Sequence, residues 1–188
     1  NTLTTGQIKA LTTAQLVALT TDQVGGLIAG MVSTLTTAQL AAMATDDFAT
    51  LSTAAVAALT TAQAGALTTA QVVSLSEDQA GVLTTAQVKA LTTAQVAVFE
   101  TADLAKLSSA HIQALSTSVI ANLTVDQFKA LGTDQLNALT TGQVEALSTD
   151  SVAALTSDQL SQFDAGQVGA LSAAQARAIE TADLVAMS

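Results

Sequence analysis

Large apolar residues recur at every eighth position of this chain, from Leu3 to Met187, without an exception. Residues 3–186 therefore divide into 23 octads, since 184/8 = 23. With octad positions labelled a to h and the apolar column as a, position f is also apolar in every octad, as in Leu11 with Leu16. A fixed short period over nearly the whole length predicts a repeat architecture, in which each unit packs mainly on its neighbours.

The polar positions of the octad predict where each helix begins. Position b is Ser or Thr in 17 octads, and position e is Gln in 15. Ser/Thr-x-x-Gln is a capping box: the hydroxyl accepts a hydrogen bond from the backbone N–H at e, and the Gln side chain accepts one from the N–H at b. Positions a and f then form a hydrophobic staple across the cap. We therefore expect one short helix per octad over positions c to h, about 9 Å long at ~1.5 Å per residue.

The placement of charge indicates the same helix direction independently. Fourteen of the 15 acidic residues lie at positions b to e, with Glu145 at g as the exception, and all five basic residues lie at g or h. This distribution complements the helix dipole, at ~0.3–1 kcal/mol per exposed charge. Alanine, the best helix former, dominates positions d and h. The sequence thus predicts an all-α solenoid of very short capped helices.

Two other architectures are less consistent with the pattern. In one continuous helix an octad repeat would drift by about 80° per unit, so the leucine column would form no single face. A β-solenoid stays open as the alternative because Thr and Val are common. However, the five-and-three spacing of a and f is not the period-two alternation of strands. The chain also has only ten glycines, no proline and no Asn-Gly turn.

The short link between helices predicts a tightly wound array. Because only positions a and b separate successive helices, we expect a narrow superhelical coil with about two octads per turn. We expect residues 1–188 to form a single elongated repeat array. Both terminal octads keep the consensus, which predicts that the chain is part of a longer array or filament.

Composition excludes several classes of protein. A chain that is 49% hydrophobic and 11% charged does not resemble a disordered one, and no apolar run approaches the ~20 residues of a membrane span. A net charge of −10 with five scattered basic residues argues against nucleic-acid binding. The absence of cysteine removes disulfides, thiolate metal sites and thiol catalysis. No signal peptide is recognisable, so we expect any export signal to lie outside this chain.

Candidate chemistry is sparse, and we predict no catalytic, cofactor-binding or metal-binding residue. His111, the only histidine, occupies position e, where it is interpreted as a polar substitute for Gln, with general-base catalysis as the alternative. Aspartates recur at position d, where they suit the first turn of a helix, with calcium binding as the alternative. These are Asp22, Asp46, Asp78, Asp126, Asp134, Asp150 and Asp158.

Two further features allow a binding role. Threonine rows at b and c suggest ice binding, although the b hydroxyls are needed for capping and only the c column is left. The octad at residues 27–34 lacks both capping residues and has Ile28 and Met31 in their places. We interpret that octad as a local packing seam, with an apolar contact surface as the alternative.

The motif Leu-Thr-Thr-Ala-Gln-Val, at residues 83–88 and 91–96, resembles repeat tracts of very large secreted bacterial surface proteins, including adhesin-like ones. The resemblance covers the whole chain in repeat style and transfers no site residue. It implies an extracellular spacer or stalk.

We therefore expect a non-enzymatic structural repeat protein that forms a rigid rod, stalk or filament segment at the cell surface or outside the cell. Its expected partners are neighbouring repeats or copies of itself, stacked end to end, and other surface proteins. A protein-binding solenoid of an adhesin is the main alternative. A calcium-dependent or ice-binding module is a further one.

Overall fold

The structure is a computed structural model that describes residues 3–179. This range contains short α-helices and no strand, one helix for each octad. The prediction of an all-α repeat solenoid is confirmed, and the β-solenoid alternative is wrong. The helices are α1 (Thr5–Ala10), α2 (Thr13–Val17), α3 (Thr21–Gly25), α4 (Ala29–Val32), α5 (Thr37–Ala42), α6 (Thr45–Ala49), α7 (Thr53–Ala57), α8 (Thr61–Ala66), α9 (Thr69–Val73), α10 (Glu77–Gly81), α11 (Thr85–Ala90), α12 (Thr93–Ala97), α13 (Thr101–Lys106), α14 (Ser109–Ala114), α15 (Thr117–Ala121), α16 (Val125–Lys129), α17 (Thr133–Asn137), α18 (Thr141–Glu145), α19 (Thr149–Ala153), α20 (Ser157–Leu160), α21 (Ala165–Ala170) and α22 (Ala173–Ala178).

The helices begin where the capping pattern predicts. At α11, Thr84 Oγ1 accepts from the Gln87 N–H at 3.2 Å, and Gln87 Oε1 accepts from the Thr84 N–H at 2.6 Å. Both halves of this box recur at most of the helices. Helices α4 and α6, after Ile28 and Ala44, have no side-chain cap bond. At α13 and α17 the position-e side chain still accepts from the N–H of Glu100 and of Gly132. Local hydrogen bonds between positions b and e therefore determine where most helices start.

The link between helices is made of extended backbone. Between α11 and α12, Leu91 has φ −65° and ψ 139°, and Thr92 has φ −80° and ψ 161°. None of the described residues has a positive φ. Because leucine and threonine adopt these angles freely, the chain changes direction without glycine or asparagine at the turn. This explains how an array that changes direction at every octad contains few glycines.

The chain divides into two compact units, Asn1–Phe99 and Glu100–Ser188. In the first unit each helix packs on the helix three positions later, from α1 on α4 to α9 on α12. In the second unit the same rule runs from α13 on α16 to α19 on α22. One turn of the coil in each unit therefore takes about three octads, and the prediction of about two is wrong. The extended a–b link redirects the chain by roughly a third of a turn rather than reversing it.

Columns a and f form the core of each unit. At α11 the side chain of Val88 is fully buried, and the neighbouring Leu91 is 6% exposed. Small residues at position d let consecutive turns approach. A Cβ added to Gly142 would lie 3.8 Å from Thr117 Cγ2 on the helix three positions earlier. The predicted staple residues thus supply the interior, and small side chains bring the turns together.

Candidate functional site

The glutamine at position e joins one turn of the coil to the preceding turn. Gln63 is 2% exposed, and its Oε1 accepts from the Thr60 N–H at 2.7 Å, which completes the cap of α8. Its Nε2 donates to Val32 O at 2.8 Å and Leu35 O at 2.7 Å, at the C-terminal end of α4. One side chain therefore caps its own helix and binds the carbonyls of a helix four positions earlier.

This arrangement recurs in both units at a constant spacing. Each such Nε2 donates to the carbonyls 31 and 28 residues earlier, which belong to positions f and a. The donor–acceptor distances lie between 2.7 and 3.1 Å for these side chains. They are Gln71, Gln87 and Gln95 in the first unit, and Gln143, Gln167 and Gln175 in the second. We call the e-position glutamines the Gln column.

The chemistry of the amide explains why position e is Gln. The last carbonyls of a helix have no partner within the helix and need donors from elsewhere. A capping box can use Glu or Gln at this position, but only Gln can both accept from the cap N–H and donate to the carbonyls of the preceding turn. In this acidic chain no octad has Glu at position e. The absence of Glu at position e is the sequence signal for the bond to the preceding turn, because the capping box alone would accept Glu.

The glutamines of the first three helices make only the local half of this contact. Gln7, Gln15 and Gln23 are exposed. Their Oε1 atoms accept from the N–H of Thr4, Thr12 and Thr20 at 2.8 to 2.9 Å. Within the described residues these three glutamines therefore cap their own helices without donating to another turn.

His111 substitutes for Gln in the cap, as predicted. Its Nδ1 accepts from the Ser108 N–H at 3.1 Å, and its own N–H donates to Ser108 Oγ at 3.3 Å. Partial burial lowers the pKa of the imidazole below 6.5, which favours the neutral form that can accept. Asp47, also at position e, instead accepts from Thr21 Oγ1 of the preceding turn at 2.7 Å.

The helices that carry the aspartates of column d pack on helices three octads away along the chain. Helix α16, with Asp126, packs on α19, with Asp150, and α17, with Asp134, packs on α20, with Asp158. The described residues include no group of three or more His, Cys, Asp or Glu side chains that could hold a metal ion. The fold therefore brings no calcium ligand set together from this column within residues 3–179.

The irregular octad forms an apolar surface. Ile28 is 61% exposed and gives α4 no side-chain cap bond. A cleft of about 400 Å³ is lined by Ile28, Met31, Leu3 and Leu19, with Gln23 at its side. Most threonines of column c are exposed, among them those at the starts of α8 and α11. Within the described range, no helix has the length and apolar character that crossing a membrane requires.

Comparison with known proteins identifies the repeat. The family model described as the ALTTAQ repeat matches residues 1–28, 40–77, 67–93, 96–133 and 128–165. These overlapping segments cover well over half of the chain. No curated protein matches it. The repeat that the family model describes is the octad from which the caps, the core and the Gln column are built.

Proposed function

The chain belongs to the ALTTAQ repeat family, and from this premise we propose that it is a non-enzymatic structural protein. In this proposal it serves as a rigid rod, stalk or filament segment at the cell surface or outside the cell. The observation that carries the proposal is the Gln column, which is a device for holding turns together. From Gln63 onward, the buried glutamines of this column use both ends of the side-chain amide in hydrogen bonds within the coil, as Gln63 and Gln87 do.

The energy of the Gln column supports a stiff array. Gln63, Gln71, Gln87 and Gln95 each donate two or three hydrogen bonds to the preceding turn. A net value of about 0.5–1.5 kcal/mol per bond makes this a substantial contribution for a helix of five or six residues. Among the described residues, no buried side-chain polar atom lacks a partner. Turns joined by short, neutral hydrogen bonds as well as by apolar contacts should resist bending better than turns held by apolar contacts alone.

The proposed location at the cell surface does not rest on the Gln column. The support is the repeat style, which resembles that of secreted bacterial surface proteins; the absence of cysteine fits an oxidising and a reducing compartment alike. Antibody labelling of intact and of permeabilised cells tests the location. Equal labelling of both supports it, and labelling that requires permeabilisation contradicts it.

Small-angle scattering tests the spacer role directly. A compact globule of 188 residues has a radius of gyration of ~16 Å by the usual length scaling. A spacer should exceed this value clearly at a concentration where the chain is monomeric. A radius of gyration at the globular value would contradict the proposal.

A binding role is the second candidate, favoured by the cleft at Ile28 and Met31. Ile28→Thr with Met31→Gln restores the consensus residues of the octad and removes the apolar lining. If the cleft binds apolar groups, the fluorescence of a hydrophobic dye should rise with the natural chain and fall sharply with the double variant. Equal dye fluorescence for both chains would remove this candidate.

A further inference from the structure

We propose that Asn122 is a modification site that accepts an N-linked sugar. Asn122, Leu123 and Thr124 form the acceptor sequence Asn-x-Thr, in which x is not proline. The inference rests on the location proposed above, at the cell surface or outside the cell, because this sequence is an acceptor on surface segments of exported proteins.

The repeat itself provides half of this acceptor sequence at most of its links. Positions h, a and b of successive octads read x-Leu-Ser or x-Leu-Thr wherever b carries the capping hydroxyl. An asparagine at position h is therefore all that is needed to complete the sequence. The chain has three asparagines, Asn1, Asn122 and Asn137, and only Asn122 has a hydroxyl side chain two residues later.

The fold places the acceptor side chain at the surface. Asn122 is the C-cap of α15, with φ −105° and ψ 5°, and it is exposed. The next residue, Leu123, is only 6% exposed and holds the link to the core. The amide of Asn122 therefore lies just beyond the end of a helix, on a segment that its buried neighbour keeps in place.

The hydrogen bonding of the amide is compatible with a substituent. The Nδ2 of Asn122 donates to Ser118 O at 2.8 Å. Because a side-chain amide carries two hydrogens, this bond uses one of them and leaves the other to be replaced. A glycosylated amide keeps one N–H, which can still donate to the end of α15. The helix therefore does not have to lose this bond when the side chain is modified.

The neighbouring turns of the second unit leave space at this position. Helix α18 packs on α15, and α21 packs on α18. The residues at position h of their octads are Ala146 and Ala170. A sugar on Asn122 would meet no long side chain from these two residues, so a bulky, hydrated group can point into solvent there.

The modification is a simple group transfer from a sugar that is activated as a phosphate ester, catalysed by a transferase of the producing cell. A bond forms between Asn122 Nδ2 and the anomeric carbon of the sugar. The bond from that carbon to the phosphate oxygen breaks, and the phosphate leaves with the electron pair. The nitrogen loses one proton, which the leaving phosphate or water takes up. The step needs neither an oxidant nor a reductant.

Peptide mass spectrometry of the protein purified from the cells that produce it tests the inference. Trypsin cleaves after Lys106 and Lys129, so Asn122 lies in the peptide 107–129. We expect this peptide to carry the added mass of one or more sugar residues, and fragmentation should place that mass on Asn122. Asn137 is exposed as well, but Ala-Leu follows it, so its peptide should carry none.

Three variants separate the acceptor sequence from the cap of α16. N122Q should lose the added mass completely. T124S keeps both the hydroxyl and the cap, so it should stay modified. T124D should also keep the cap, because Asp164 caps α21 from the same position, with Oδ1 accepting from the Gln167 N–H at 2.8 Å. Since T124D has no hydroxyl, its peptide should be unmodified. Circular dichroism should give the same helical signal for all three variants.

The outcomes distinguish this inference from the proposed location. An unmodified peptide 107–129 in the natural protein overturns the inference, and so does equal modification of T124D and T124S. If intact cells are labelled by antibody while the peptide is unmodified, the surface location stands and only the modification site is wrong. If the peptide is modified but labelling requires permeabilisation, the site is supported and the surface location is contradicted.

Discussion

The two roles of the Gln column can be separated by a single substitution, Gln87→Glu. Glutamate keeps the cap, because its carboxylate accepts from the Thr84 N–H as Gln87 Oε1 does at 2.6 Å. It loses the donors to Val56 O, Ala57 O and Leu59 O, at 3.1, 3.2 and 2.7 Å. A carboxylate would then face three carbonyl oxygens at a position that is 1% exposed.

The expected destabilisation follows from these contacts. Removing the donor partner of buried carbonyls costs about 1–3 kcal/mol, and an uncompensated buried charge brings the total to about 3–5 kcal/mol. With an m-value of about 2 kcal/mol/M, the urea midpoint should fall by roughly 1.5–2.5 M. Circular dichroism of the helical signal in a urea titration measures this shift.

The matched control is Gln15→Glu. Gln15 has the same capping bond to Thr12 but is exposed and donates to no earlier turn, so its free energy of unfolding should change by no more than about 0.5 kcal/mol.

The pH dependence gives a second check. Burial raises the pKa of a carboxyl at position 87 in the folded state. Its contribution to stability is therefore present at low pH and lost as pH rises, so the deficit of Q87E relative to Q15E should shrink in acid. Equal urea midpoints for the two variants at neutral pH would refute the role assigned to the column.

The remaining predictions concern single positions. Gly65→Ala should lower the free energy of unfolding by about 1–3 kcal/mol, because the new Cβ would lie 2.9 Å from Ala90 O. Gly169 is also at position g, but a Cβ added there would have nothing within 4 Å. Gly169→Ala should therefore raise the free energy of unfolding by up to about 1 kcal/mol. If calorimetry gives a change of the same sign for both variants, this reasoning is contradicted. Since burial lowers the pKa of His111 in the folded state, its contribution to stability is present above pH 6.5 and is lost as pH falls through the folded pKa. His111→Gln should therefore remove part of the loss of urea stability between about pH 7 and pH 5, and no difference from the natural chain would refute this. Ala44→Thr should add the missing cap of α6 and stabilise by about 0.5–2 kcal/mol in the same titration.

The local structure of the octad was available from the sequence because its determinants lie within a few residues of one another. The cap bonds join positions three residues apart, as in Thr84 with Gln87, and the helix dipole acts on charges within a single turn. These short-range interactions predicted where each helix begins, which columns are buried and how His111 is used.

Only the tertiary structure decided how the octads wind and what the Gln column binds. The number of octads per turn depends on the angle at the extended a–b link, such as Leu91–Thr92, and an eight-residue period is compatible with several angles. The Nε2 bonds span 28 and 31 residues, and the contact of Gly65 with Ala90 spans 25. A periodic sequence looks the same at every multiple of its period, so which octads meet is determined by packing in three dimensions and not by the repeat itself.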